Sequence, residues 1–197
     1  APGREAIAFT VDDALISKLP NLDWGTTDYP TDFNRLGLFH RIGTLTAGKQ
    51  VPGVQALPVG DWYRGLSQTE RAEIRQAADE KRAVTDTGEI EIDGKSGHFR
   101  CLTPRSEVLV LPGGDAAGRL VRVSGATVAQ TVALISKEKQ PITAGGDLLL
   151  FQLTRTGNTG MRFRDRKERI LESWGTLPVL LQRGSAQIEI GPLPPGA

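Results

Sequence analysis

The sequence predicts a single β-rich α+β domain over residues 1–197, with nine or ten short, mostly antiparallel strands and three or four helices. Short segments alternate between apolar and polar residues, which is the period of a half-buried strand. The 23 glycines and 12 prolines are spread along the chain, as expected where turns join short strands. A length of 197 residues fits one domain with a sizeable core.

The first sixty residues predict little regular structure. Residues 6–10 read as a strand, 11–19 as a helix with acidic residues in its first turn, and 36–42 as a strand. Residues 20–33 and 46–60 have no apolar period and are predicted to be irregular loops. Aperiodic segments of this length are either functional or interface segments, or a sign that the assignment of elements is incomplete.

The best-supported helix covers residues 68–83. Ser67 and Glu70 have the spacing of a capping box, in which each side chain binds the backbone N–H of the other residue. The apolar face of this helix is thin and consists of Ile74, Ala77 and Ala78. A helix at the surface of a sheet is the favoured interpretation, and a helix that docks a partner is the alternative.

The remaining chain is predicted to be mostly strands. Segments with strand periodicity or buried-strand composition cover 89–93, 98–102, 107–111, 119–123 and 147–154. The last of these is so apolar that we expect it to be a central strand of the sheet. Residues 179–182 and 186–190 predict a closing hairpin, and the Pro/Gly tail at 191–197 cannot form regular structure.

Two further helices are predicted in this half. In 126–139, Val128, Val132 and Ile135 have helical spacing, although the β-branched content keeps a strand as the competing interpretation. In 165–174, Asp165 and Glu168 have the spacing of a helix cap. The apolar residues Ile170, Leu171 and Trp174 follow, and Gly175 would end the helix.

The composition excludes several classes of protein. With one cysteine, Cys101, and two histidines, His40 and His98, the chain can form neither an internal disulfide nor a Cys-based structural zinc site. The longest apolar runs have four residues, whereas a membrane helix needs about 20. No signal-peptide core is readable. We therefore assign no metal or cofactor site, leave a carboxylate-based metal site open, and expect no membrane partner and a location in the cytoplasm or within an assembled particle.

The sequence contains no complete catalytic motif. Residues 94–96 (Gly-Lys-Ser) lack the preceding glycine of a phosphate loop and join two predicted strands. There is no G-x-S-x-G elbow around a serine nucleophile. Asp86, Glu91 and Asp93 with Lys95 resemble a nuclease carboxylate cluster in composition, but acidic residues are ordinary on the polar face of a strand. No catalytic residue is assigned, and an enzyme of unrecognised type is the third hypothesis.

Charge is distributed unevenly although the formal net charge is only +1. Residues 1–33 have a net charge of −4 and residues 155–169 a net charge of +4. The candidate acidic partner face consists of Asp12, Asp13, Asp23, Asp28 and Asp32. The candidate basic binding segment consists of Arg155, Arg162, Arg164, Arg166, Lys167 and Arg169.

The basic segment allows three interpretations. It can be a solvated hairpin paired with neighbouring acids, a salt-bridge surface for another protein, or a site for nucleic acid. Arginine suits phosphate because its planar guanidinium donates two parallel hydrogen bonds, and a basic hairpin is one route to backbone-dominated nucleic-acid binding.

The favoured hypothesis is a non-enzymatic structural or assembly subunit of a larger multiprotein particle, for example a virion or phage-tail component. Its expected partners are other copies of itself or other protein subunits. The acidic and basic segments would then meet head to tail between copies, a geometry that builds rings and tubes. A nucleic-acid-binding module using residues 155–169 is the alternative.

Overall fold

The computed structural model describes residues 4, 6–11, 36–46, 48–58, 62–164 and 170–192. These residues form sixteen strands, two α-helices and one 3-10 turn, with a further helical stretch at 36–39. The strand pairs are mostly antiparallel, and two pairs in the first 60 residues are parallel. The predicted β-rich α+β class and its mostly antiparallel strands are confirmed, whereas the predicted strand number is too low.

The chain divides into two compact units, residues 1–95 and 96–197, and each is described by itself. The organisation as a single domain stays a prediction.

The first unit contains a parallel three-stranded sheet and two helices. Strands β1 (Ala6–Val11), β2 (Ile42–Thr46) and β3 (Val54–Pro58) pair in the order β2-β1-β3. The central strand contributes the buried Ile7. The other members of this core are Leu36, Leu57, Leu66 and Ile74, with Phe39 packed against them.

Helix α1 (Trp62–Gly65) precedes α2 (Gln68–Glu80). The predicted capping box is confirmed: the Glu70 N–H donates to Ser67 Oγ at 3.2 Å, and the Ser67 N–H donates to Glu70 Oε2 at 2.6 Å. Helix α2 ends at Glu80, three residues before the predicted end, and its C-cap residue Lys81 adopts the left-handed conformation with φ 53°. Strands β4 (Arg82–Val84) and β5 (Ile90–Asp93) then pair antiparallel.

The second unit contains two antiparallel sheets around one core. Strands β6 (His98–Thr103), β7 (Ser106–Leu111), β10 (Gln130–Ser136) and β11 (Leu148–Thr154) are adjacent in the order β11-β10-β7-β6. Strands β8 (Gly114–Ala117), β9 (Val121–Ala126) and β16 (Gln187–Ile190) form a sheet in the order β16-β9-β8. The core combines residues of β7, β9 and β10 with the 3-10 turn Ile142–Ala144.

Between β11 and β16 lies a segment that we name the β-arm, comprising residues 155–164 and 170–182. Its strands are β12 (Thr156–Thr159), β13 (Arg162–Phe163), β14 (Leu171–Ser173) and β15 (Thr176–Leu181). Within the described chain they pair only with one another, β12 with β15 and β13 with β14.

Glu107 is a fully buried carboxylate on β7. It accepts hydrogen bonds at 2.9–3.0 Å from the backbone N–H groups of Arg119, Leu120 and Val121. These N–H groups belong to the turn that leads into β9, so one side chain joins the two sheets of the second unit. A Cβ atom added at Gly118 would collide with Glu107 Oε2, which explains the glycine at this position.

The predicted helix at 126–139 is wrong, because Gln130–Ser136 is strand β10. This strand pairs with β7 on one side and β11 on the other. Val132, Ala133 and Leu134 are consecutive and all buried. A strand buried on both faces shows no period of two. The helical spacing of Val128, Val132 and Ile135 therefore does not indicate a helix here, and the competing interpretation, a strand favoured by the β-branched residues, is correct.

The predicted helix at 165–174 is contradicted where the structure describes it, since Leu171–Ser173 is strand β14 paired with β13. Residues 165–169, which carry its cap signature, lie outside the described residues. The described part therefore contains fewer α-helices than expected.

Three other local predictions are corrected. Residues 36–39 are helical, with the His40 N–H donating to the Leu36 carbonyl, so the strand predicted over 36–42 begins only at Ile42. The predicted irregular loop 46–60 contains β3, which pairs with β1. The predicted closing hairpin does not form, because β15 pairs with β12 whereas β16 pairs with β9.

Some predicted elements extend beyond what the structure describes. Of the predicted helix 11–19, Val11 is the last residue of β1 and the rest lies outside the described residues. The irregular segment 20–33 and residues 193–197 of the tail also lie outside them, while residues 191–192 have no regular structure.

Replacing Glu107 tests how far the second unit depends on this carboxylate. Glu107→Gln puts an NH2 donor against backbone donors, so we expect the free energy of unfolding to fall by about 1–3 kcal/mol. Glu107→Ala leaves three N–H groups without their acceptor, and we expect a loss of about 3–5 kcal/mol. Urea unfolding followed by circular dichroism measures both. The exposed Glu189→Gln is the matched control, with a change within about 0.5 kcal/mol; equal losses in all three variants would contradict the role given to Glu107.

Candidate partner-binding surface

Strand β11 lies at the edge of its sheet and exposes large apolar side chains. Within the described chain it pairs only with β10, so the predicted central position is wrong. Its exposed residues, here called the apolar strip, are Leu149, Leu150, Phe151 and Leu153, which expose 41%, 47%, 38% and 56% of their surface. Because successive side chains of a strand point to opposite faces, the strip presents apolar groups on both faces of the sheet edge.

The free edge of β11 also presents backbone hydrogen-bonding groups. In an antiparallel ladder, alternate residues direct their N–H and C=O groups toward the partner strand and the others direct them away. Residues 148–154 include no charged residue, proline or glycine. These are the residue types that protect exposed edges against pairing with another chain, so β11 is an unprotected edge.

The β-arm adds a second exposed apolar surface. Every residue of β15 is exposed, and Leu177 and Leu181 expose 80% and 73% of their surface. Trp174, just before β15, is 72% exposed. Side chains of this size are ordinarily found in cores or interfaces.

A groove of about 920 Å³ lies within the β-arm and contains part of the predicted basic segment. Its apolar lining includes Met161, Phe163, Leu180 and Leu181, and its basic lining consists of Arg155 and Arg164. The Nε atom of Arg164 lies 3.3 Å from Glu172 Oε1, in an exposed ion pair. The arrangement places guanidinium groups beside an apolar wall, which suits an anionic partner that also has apolar surface.

The structure brings together only part of the predicted charge pattern. Arg162 and Arg164 are exposed whereas Met161 and Phe163 are partly buried, which is the alternation of a half-buried strand. Arg155 and Arg164 line the same groove, and Arg162 is not among its lining residues. The other basic candidates, Arg166, Lys167 and Arg169, and all the acidic candidates, Asp12, Asp13, Asp23, Asp28 and Asp32, lie outside the described residues.

The histidines and the cysteine have ordinary surroundings. His40 is buried, with its Nε2 atom 3.2 Å from Glu70 Oε1. His98 Nδ1 lies 2.9 Å from Ser96 Oγ at an exposed turn. Cys101 is a free, partly buried thiol on β6.

The acidic residues Asp86, Glu91 and Asp93 accept hydrogen bonds from other groups of the first unit. Glu91 accepts from Arg82 at 2.5 Å, Asp93 accepts from the Lys95 N–H at 3.0 Å, and Asp86 accepts from the Arg4 N–H at 2.7 Å. Among the residues that the structure describes, no three His, Cys, Asp or Glu side chains are grouped so that they could hold a metal ion.

Arg4 also pairs through both terminal nitrogens with Glu73, at 2.5 and 2.7 Å. Its hydrogen bond lowers the pKa of Glu73 against the opposing effect of desolvation, and the same bond raises the pKa of Arg4. This ion pair ties residue 4 to helix α2.

Within the described ranges, no helix is long and apolar enough to cross a membrane. Comparison of the chain with protein-family models, with curated proteins and with solved structures finds no significant match.

Proposed function

We propose that this chain is a non-enzymatic assembly subunit that binds other copies of itself within a multiprotein particle. The observation that carries the proposal is the unprotected apolar edge of β11 in the second unit. Contiguous exposed apolar surface on a soluble protein is typical of a protein-interaction site. A free edge strand adds backbone groups that another strand can complete.

The free energy available from burying the apolar strip is too small for association, so the contact between copies needs a larger surface. Full burial of a Leu or Phe side chain stabilises by about 1.5–3 kcal/mol, and the four strip residues still expose between 38% and 56% of their surface. Their burial would therefore contribute only several kcal/mol, against an association cost of about 4–15 kcal/mol. The exposed leucines of β15 supply further apolar area, so the proposed contact uses both β11 and the β-arm.

The charge of the two units supports contact between copies. Residues 1–95 include 11 Lys or Arg and 15 Asp or Glu, a net charge of −4, whereas residues 96–197 include 13 and 8, a net charge of +5. Opposite charge on two parts of one chain favours association between copies, because the negative unit of one copy attracts the positive unit of another, and a twofold pair allows this attraction twice.

A second candidate function is nucleic-acid binding by residues 155–169. It is supported by Arg155 and Arg164 beside Phe163 in the groove of the β-arm, because guanidinium groups bind phosphate and an aromatic ring can stack on a base. The apolar strip has no role in this function, so the assembly subunit accounts for more of the exposed surface.

The assembly function predicts that lysines on the strip dissociate the protein. Leu149→Lys combined with Leu153→Lys places two charges on the same face of the edge, as natural edge strands do. We expect the parent protein to be oligomeric and this variant to need at least about tenfold higher concentration to associate. Size-exclusion chromatography with light scattering measures the mass. Val51→Lys, at a 44% exposed residue of the first unit, is the control that leaves assembly unchanged. A parent that stays monomeric at every concentration refutes the proposal.

The alternative function predicts a different result. If residues 155–169 bind nucleic acid, Arg162→Glu combined with Arg164→Glu reduces affinity for both RNA and DNA at low salt and flattens the salt dependence. Fluorescence anisotropy with a labelled single strand measures this. Arg122→Glu combined with Arg183→Glu changes the net charge equally at exposed positions elsewhere. Equal affinity in the parent and both variants excludes the alternative.

A further inference from the structure

We infer that two copies of the chain pair antiparallel along the free edges of β11, with Phe151 of each copy at the twofold axis. This inference rests on the proposed assembly function and names the contact. It is carried by the sequence of the edge and its flanks, which becomes self-complementary only in this register.

The register follows from antiparallel symmetry about Phe151. Leu149 then lies opposite Leu153 of the second copy, and Leu150 lies opposite Gln152. Directly opposite side chains on one face are about 4.5–5.5 Å apart at their Cβ atoms. Each exposed apolar residue of the strip is therefore covered by a neutral residue, and no like charges meet along the seven-residue strand.

The flanking charges select this register among the possible ones. With Phe151 at the axis, Asp147 of each copy is directly opposite Arg155 of the other, which gives two symmetric ion pairs. Both residues are exposed, and an exposed ion pair exchanges its partners at little cost. A dyad moved to Leu150 or Gln152 puts a residue other than arginine opposite Asp147 and loses both pairs.

Asp147 and Arg155 cannot make this pair within one copy. They stand eight residues apart at opposite ends of an extended strand, a distance of about 26 Å at about 3.3 Å per residue. Within its own chain, Asp147 Oδ2 accepts from Lys137 Nζ at 2.7 Å, and this bond raises the pKa of the lysine. The pair is exposed, and exchanging one partner of an exposed ion pair costs little.

A charge exchange tests the register. Asp147→Arg and Arg155→Asp each create two like-charge contacts across the axis, and we expect each to raise the dissociation constant of the dimer about tenfold or more. The double variant reverses both pairs and is expected to restore the parent value. Analytical ultracentrifugation measures the constants, and circular dichroism verifies folding. Lys137→Ala, which removes only the partner within the chain, is expected to leave association unchanged.

The outcomes separate this inference from the proposed function. Restoration in the double variant supports the pairing, because two residues about 26 Å apart can compensate each other only between copies. Single variants that associate like the parent, or a double variant that stays dissociated, overturn the inference. If Leu149→Lys with Leu153→Lys still dissociates the protein in that case, the assembly function stands with a different register. A monomeric parent overturns both.

Discussion

A single buried carboxylate determines how the second unit is arranged. Glu107 on β7 accepts the N–H groups of residues 119–121 and so fixes where β9 begins. Because β9 begins there, Val121 and Val123 pack against Leu109 in the shared core. Strand β16 pairs with β9, so its position depends on the same contact. A buried carboxylate is tolerated only when donors satisfy it, and here the backbone supplies them.

The core of the second unit leaves most of β11 exposed. The core includes residues of β7, β9 and β10, and of β11 it is Leu148 that packs against it. The following residues Leu149, Leu150 and Phe151 face solvent, as does most of the β-arm beyond them. The sheet that contains β9 packs against β7 and β10, so most of β11 stays exposed. The proposed assembly function rests on this exposed surface.

The sequence predicted those elements whose signals are local. Helix α2 was predicted because Ser67 and Glu70 make its cap without help from the rest of the fold. Strand β10 was missed because burial on both faces removes the alternation that identifies a strand. The apolar run of β11 was predicted as a strand, but the same run suits a buried centre or an unprotected edge, and only the pairing distinguishes them. The role of Glu107 depends on backbone groups more than ten residues away, and no spacing rule reveals it.

The proposed assembly is tested most directly by asking whether a second copy covers the free edge of β11. Amide hydrogen exchange of residues 148–154, measured by mass spectrometry or NMR at low and high protein concentration, reports on the outward-facing N–H groups. We predict that exchange in this strand slows as protein concentration rises, while exchange in helix α2 of the first unit stays constant. Exchange of β11 that is fast and independent of concentration would contradict it.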